Sequence, residues 1–80
     1  MPRYYFDMMD HNGLLADEEG LDLRDLDAAQ EEAARSLSDM VRDATRTPTQ
    51  DPIEQLGVEV RDETGPVMHV RFSFDIDRRS

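Results

Sequence analysis

Residues 25–46 read DLDAAQEEAARSLSDMVRDATR, and this stretch decides the fold. Its apolar side chains recur at spacings of three, four and seven: Leu26, Ala29, Ala33, Leu37, Met40, Val41 and Ala44. Charged side chains fill the positions between them: Asp27, Glu31, Glu32, Arg35, Asp39, Arg42 and Asp43. This period is typical of an amphipathic helix. We therefore expect one long helix whose apolar side is buried against the rest of the chain.

Both ends of this helix carry recognisable signals. Asp25 is predicted as the N-cap, because its carboxylate can accept hydrogen bonds from the free amides of the first turn. Asp27 is a competing N-cap, since Gln30 lies three residues further on and would complete a capping box. At the other end Pro48 and Pro52 stop the helix and predict an extended linker.

The residues before the helix predict strands and a turn. Arg3–Asp10 alternates apolar and polar side chains and is rich in aromatics, which indicates a strand. Asp10–Gly13 fits a type I turn closed by a left-handed glycine, or a two-residue type I′ hairpin. Leu14–Leu23 should return as a short strand followed by an irregular, exposed acidic loop at Asp17–Glu19. We expect Leu21 and Leu23 to tuck under the start of the helix.

The residues after the linker predict a hairpin between strands Gln55–Arg61 and Val67–Phe74. A three-residue loop at Glu63-Thr64-Gly65, with Gly65 left-handed, sets a register in which every apolar residue faces another. A two-residue loop at Thr64-Gly65 would mix the faces. The predicted facing pairs are Val60–Met68, Val58–Val70 and Leu56–Phe72.

These elements predict an α+β domain of order β-β-α-β-β, spanning residues 1–75 and followed by a frayed tail at 76–80. One long helix packs on one face of a small, mostly antiparallel four-stranded sheet. Alternation leaves a mixed set of side chains on the other face: Arg3, Tyr5, Asp7, Met9, Glu59, Arg61, Val67, His69 and Arg71.

Composition restricts the classes of partner. The 80 residues carry a net charge of −10, and all nine basic residues are Arg. Such a surface repels nucleic acid and anionic membranes. No apolar run reaches membrane-spanning length, and the N-terminal sequence lacks the apolar core of a signal peptide. The chain has no Cys, which suits a reducing compartment, so a cytoplasmic location is expected.

Several short motifs, in their order and spacing, resemble a small bacterial family, the domain-of-unknown-function family 6894. They are the opening PRYYF, DEEG at Asp17–Gly20, the D-L-x-A-A start at Asp25–Ala29, and V-E-V-x-D-E-x-G at Val58–Gly65. Where the family pattern often has His after the opening aromatics, this chain has Asp7. The resemblance supports the domain boundaries and implies no activity, cofactor or catalytic residue.

No catalytic, cofactor or metal site is predicted. Asp10, Asn12 and Glu19 have the spacing of calcium-loop ligands, but Met8 stands at the first ligand position and cannot bind calcium. His11 and His69 are the only histidines, and neither has the aligned nucleophile or carboxylate that catalysis needs. His69 is expected to form a cross-strand polar pair with Glu59. Whether the loop Asp17–Glu19 binds a cation is left open.

Tyr4, Tyr5 and Phe6 resemble a base-stacking platform for RNA, but alternation sends two of the three rings into the core. The same alternation leaves candidate protein-contact residues on the outer face: Tyr5, Met9, Glu59, Arg61 and His69. We therefore expect a non-enzymatic protein-interaction module that forms a weak homodimer, with no small-molecule ligand. The alternative is an acidic module that binds a basic protein surface, as nucleic-acid mimics do. An enzyme or a metal-binding protein is the third interpretation.

Overall fold

The computed structural model describes residues 1–10, 13–46 and 56–73. Their elements follow in the order β1 (Arg3–Asp10), β2 (Gly13–Leu15), β3 (Leu21–Asp22), α1 (Leu26–Arg46), β4 (Leu56–Asp62) and β5 (Gly65–Phe72). The predicted α+β class is confirmed. The expected linker, the strand ends Gln55 and Phe74, and the tail at 76–80 lie outside the described residues. In the part of the chain that is described, no helix has the length and apolarity needed to cross a membrane.

The sheet is antiparallel, with strands in the order β2-β1-β4-β5. The fifth strand, β3, pairs with the beginning of β1, and β2 pairs with the end of β1. Since β4 occupies the opposite edge of β1, the two short strands share one edge. The predicted second strand is therefore divided in two, and the pairing of β1 with β2 runs from Met8 with Leu15 to Asp10 with Gly13.

The helix begins as its sequence predicts. The backbone N–H of Ala28 donates to Oδ1 of Asp25 at 2.9 Å, and that of Ala29 donates to the Asp25 carbonyl at 3.2 Å. Asp25 is therefore the N-cap, and the competing residue Asp27 lies inside the helix. Ala29 and Ala33 are fully buried, because their small side chains let the helix approach the sheet closely.

The core lies between α1 and one face of the sheet. Its buried side chains are Tyr4, Phe6, Ala29, Ala33, Val58 and Val60. Leu23 packs against this core as expected, but Leu21 is 43% exposed, so the prediction that it tucks under the helix is wrong. Leu21 is held in β3 by its pairing with Tyr4, at the outer edge of the sheet.

The hairpin register is confirmed, but the predicted three-residue loop is wrong. All three predicted apolar pairs are present, while Asp62 pairs with Gly65 and Arg61 pairs with Pro66. The connection is therefore the two residues 63 and 64, and the extra residue is a bulge at Val67. The bulge corrects a second prediction, because Val67 packs against the core and not on the outer face.

Side-chain hydrogen bonds explain this shorter turn. The Asp62 carboxylate accepts from the backbone N–H of Thr64 at 2.8 Å and from its hydroxyl at 2.6 Å. Such bonds close an Asx-type turn. Gly65 has φ of +125°, a positive value as predicted. The bonds from Thr64 hold the pKa of the Asp62 carboxyl below its ordinary value.

Candidate functional site

We call the sheet face opposite α1 the open face. Directly paired residues of antiparallel strands point to the same side. The register therefore places three rows on this face, namely Tyr5–Arg61, Asp7–Glu59–His69 and Leu14–Met9–Gly57–Arg71. All five predicted contact residues lie in these rows, but the structure gives them different surroundings.

At one end of the open face Asp7, Arg61 and Asp17 form a hydrogen-bonded group, here the Asp7 cluster. Nε of Arg61 donates to Oδ2 of Asp7 at 2.9 Å, and Nη2 of Arg61 donates to the Asp17 carbonyl at 2.8 Å. The backbone N–H of Asp17 donates to the second Asp7 oxygen at 2.8 Å. Asp7 is only 6% exposed. A buried carboxylate thus joins β1, β4 and the loop between β2 and β3.

The Asp17 side chain hydrogen-bonds to a part of β1 that pairs with neither β2 nor β3. One carboxylate oxygen accepts from the backbone N–H of Phe6 at 3.1 Å, midway between the stretches of β1 that pair with β3 and with β2. The other oxygen accepts from the N–H groups of Glu19 and Gly20. The expected hydrated acidic loop is therefore wrong for Asp17, which is half-buried, although Glu18 and Glu19 are exposed.

The same loop covers Tyr5. The Arg61 guanidinium lies 4.5 Å from the centre of the Tyr5 ring, a cation–π contact. A Cβ atom on Gly20 would lie 2.8 Å from Cε1 of Tyr5 and 2.9 Å from Cγ of Arg3, so only glycine fits there. The φ of Gly20 is +76°, a left-handed value that also favours glycine at this position. Tyr5 and Arg61 are thus engaged within the chain and offer a partner little free surface.

The middle of the open face holds the predicted polar pair. Nδ1 of His69 lies 3.7 Å from a carboxylate oxygen of Glu59, as the register predicts. His11 lies outside the described residues. Within the described ranges, no three His, Asp or Glu side chains are grouped so as to hold a metal ion. The Asp7 and Asp17 oxygens already accept hydrogen bonds from an arginine and from backbone amides, so this arrangement supports a structural role for the carboxylates.

The other end of the open face is uncovered by described elements. Gly57 has no side chain there, and a groove of about 260 Å³ runs past Met9, Leu14, Leu56 and Arg71. On the edge strand β2, Leu14 is 62% exposed and Leu15 is 70% exposed. Sequence reasoning missed both leucines, although the uncharged run Gly13-Leu14-Leu15-Ala16 in so acidic a chain was a usable signal.

We expect stability to fall in acid because of Asp17. Burial would raise the pKa of its carboxyl, but the bonds from Phe6, Gly20 and Glu19 and the charge of Arg61 outweigh burial and hold the pKa below its ordinary value. A carboxyl whose pKa is depressed on folding contributes stability above its unfolded pKa of about 4, and that stability is lost as the pH falls through the folded value.

The measurement compares melting temperatures of wild type and Asp17→Asn between pH 2 and pH 7. The variant should melt lower at pH 7, and the difference should shrink as the pH falls from about 4 through the depressed pKa of the folded Asp17 carboxyl. A difference that stays constant over the whole range would contradict this assignment.

A family model described as a domain of unknown function, DUF6894, matches residues 3–73. The chain belongs to this family, and the resemblance predicted from its motifs is confirmed. No curated protein and no solved structure matches the chain.

Proposed function

We propose that this member of a family without an assigned activity is a non-enzymatic, cytoplasmic protein-interaction module that pairs weakly with a second copy of itself through the β2 edge. The observation that carries the proposal is the exposure of Leu14 and Leu15, 62% and 70%, on an edge strand. Adjacent residues of a strand point to opposite faces, so this edge presents an apolar side chain on each side of the sheet. Pairing with another strand would cover both.

The distribution of charge favours a second copy at this edge. A net charge of −10 opposes association in general. The four residues Gly13–Ala16 carry no charge, so two copies that meet there bring few charged groups together. Exposed strand edges are templates for pairing, and a two-fold axis would match each β2 with its own copy. The general repulsion keeps the dimer weak.

The proposed contact occupies a different part of the open face from the one predicted from the sequence. Reciprocal ion pairs between Glu59 and Arg61 of two copies would add little to the stability of a dimer, because Arg61 is already bonded to Asp7 and Glu59 already lies beside His69. Met9 remains a candidate, since it lines the groove next to Leu14. The proposed contact therefore includes β2 and the Met9 end of the open face, and excludes the Asp7 cluster.

The test is sedimentation at near-physiological salt over a range of protein concentration. Wild type should sediment faster as its concentration rises, and Leu14→Ser/Leu15→Ser should remain a monomer throughout. Leu26→Ser is the matched control, because Leu26 is a 45% exposed leucine at the start of α1, and this variant should behave as wild type. Neither substitution changes the net charge.

A wild type that stays monomeric at high micromolar concentration would contradict self-association. It would favour the second candidate, an acidic module that binds a basic protein surface. That candidate is supported by the exposed acidic residues of α1: Asp27, Glu31, Asp39 and Asp43. Capture of a basic protein such as lysozyme, lost on addition of salt, would be the expected result in that case.

A further inference from the structure

The sheet has a second edge with a different chemistry. Among the described residues β5 is the last strand of the sheet, and its eight residues make it far longer than β2 or β3. The chain contains 19 acidic residues, yet none lies in β5. The ionisable side chains of β5 are His69 and Arg71, and both lie on the open face. On this acidic protein, the β5 strand therefore carries one positive charge, Arg71, and no acidic side chain.

Burial alternates along β5, and no strand of the described residues pairs with its outer side. Met68 and Val70 are half-buried on the side of α1, whereas His69 and Arg71 are exposed on the open face. An additional strand would lie about 4.8 Å beyond β5 and would cover the remaining rims of Met68 and Val70. Its side chains on the open face would stand beside His69 and Arg71.

We propose that the β5 edge binds an extended segment of another protein in which acidic and apolar residues alternate. The segment adds a strand to the sheet, so backbone hydrogen bonds contribute affinity and alternate side chains contribute specificity. Its acidic side chains face Arg71 and His69, and its apolar side chains lie beside Met68 and Val70. Arg71 is available to pair with an acidic side chain of the segment, because none of the ion pairs among the described residues includes it.

Two features argue against a second copy at this edge. A two-fold pairing of β5 with itself, centred on Val70, places Arg71 of each copy opposite His69 of the other, so neither Arg71 meets an acidic side chain. Pro66 has no N–H to donate, and the bulge follows at Val67, so the usable edge is the stretch from Met68 to Arg71. That stretch contains Arg71 and no acidic residue, which favours an acidic partner.

The acidic remainder of the protein does not prevent this binding at physiological salt. Charges separated by more than about 8 Å are largely screened under those conditions, so the groups next to the edge decide the interaction. The acidic side chain opposite β5 on the open face is Glu59, and it lies beside His69 at 3.7 Å. Arg71 stands opposite Gly57, which carries no charge.

The test uses a soluble capped peptide, Gly-Glu-Val-Glu-Val-Glu-Gly, titrated into ¹⁵N-labelled protein at near-physiological salt. We expect saturable shifts concentrated on the amides of Val67–Arg71. Arg71→Glu should weaken binding at least tenfold. Arg24→Glu is the matched control, because it makes the same change in net charge at an exposed arginine after β3, and it should bind as wild type.

The proposal would be overturned by no saturable binding to wild type, by shifts centred away from β5, or by equal weakening by Arg71→Glu and Arg24→Glu. Equal binding of a Lys–Val peptide of the same length would also overturn it. Leu14→Ser/Leu15→Ser should bind the Glu–Val peptide as wild type does, since those residues lie on the opposite edge of the sheet. This proposal therefore stands or fails independently of self-association.

Discussion

The Phe6→Ala variant is expected to be largely unfolded near room temperature and to show no cooperative unfolding transition. Phe6 is buried in the core between the sheet and α1, and it pairs across β1 and β4 with the fully buried Val60. Removing a buried phenylalanine ring costs about 3–5 kcal/mol through lost burial and the cavity left behind. A domain of this size has only a few kcal/mol of stability, so the loss is comparable to the whole.

Circular dichroism during heating and urea unfolding are the measurements. Phe6→Leu should still fold and should melt below wild type, which keeps the test informative if the alanine variant cannot be purified. Leu26→Ala is the control, because Leu26 is 45% exposed and its truncation removes far less buried surface. A Phe6→Ala protein that melts cooperatively at the wild-type midpoint would show that the ring is not central to the core.

The parts of the fold encoded by local periodicity could be predicted. The helix Leu26–Arg46 follows from a 3.6-residue apolar repeat and from a single capping residue, Asp25. The β4–β5 register follows because each strand has one apolar face, and a shift by one residue would expose that face. Both features depend on residues close together in the sequence, or on matching two simple patterns.

The Asp7 cluster could not be predicted in the same way. Arg61 and Asp7 are separated by 54 residues, and each looks like an ordinary outward-facing charge in an alternating strand. The run Asp17-Glu18-Glu19 looks like a solvated loop. No local feature of the sequence marks Asp17 as the residue whose carboxylate accepts a hydrogen bond from the edge of β1. The bulge at Val67 was missed for a related reason, since the bonds of Asp62 to Thr64 favour a shorter turn than the apolar register alone implies.

Asp7→Ala is expected to destabilise the protein by about 2–4 kcal/mol, because it removes a buried carboxylate that accepts from an arginine and from a backbone amide. The Arg61 guanidinium would lose its closest anion, and the N–H of Asp17 would lose its acceptor. The loop between β2 and β3 is fastened to the sheet through these bonds. Its release is therefore the specific consequence, separate from the general loss of stability.

Hydrogen exchange distinguishes the two effects. In Asp7→Ala the amides of Phe6 and Gly20, both bonded to the Asp17 carboxylate, should exchange much faster, while those of α1 change only with global stability. Asp22→Ala is the matched control, since it removes a carboxylate from the exposed pair with Arg3 and such pairs contribute little. If Asp7→Ala leaves the protection of Phe6 and Gly20 at the wild-type level, the loop is held by its own turn and by β3, and not by the Asp7 cluster.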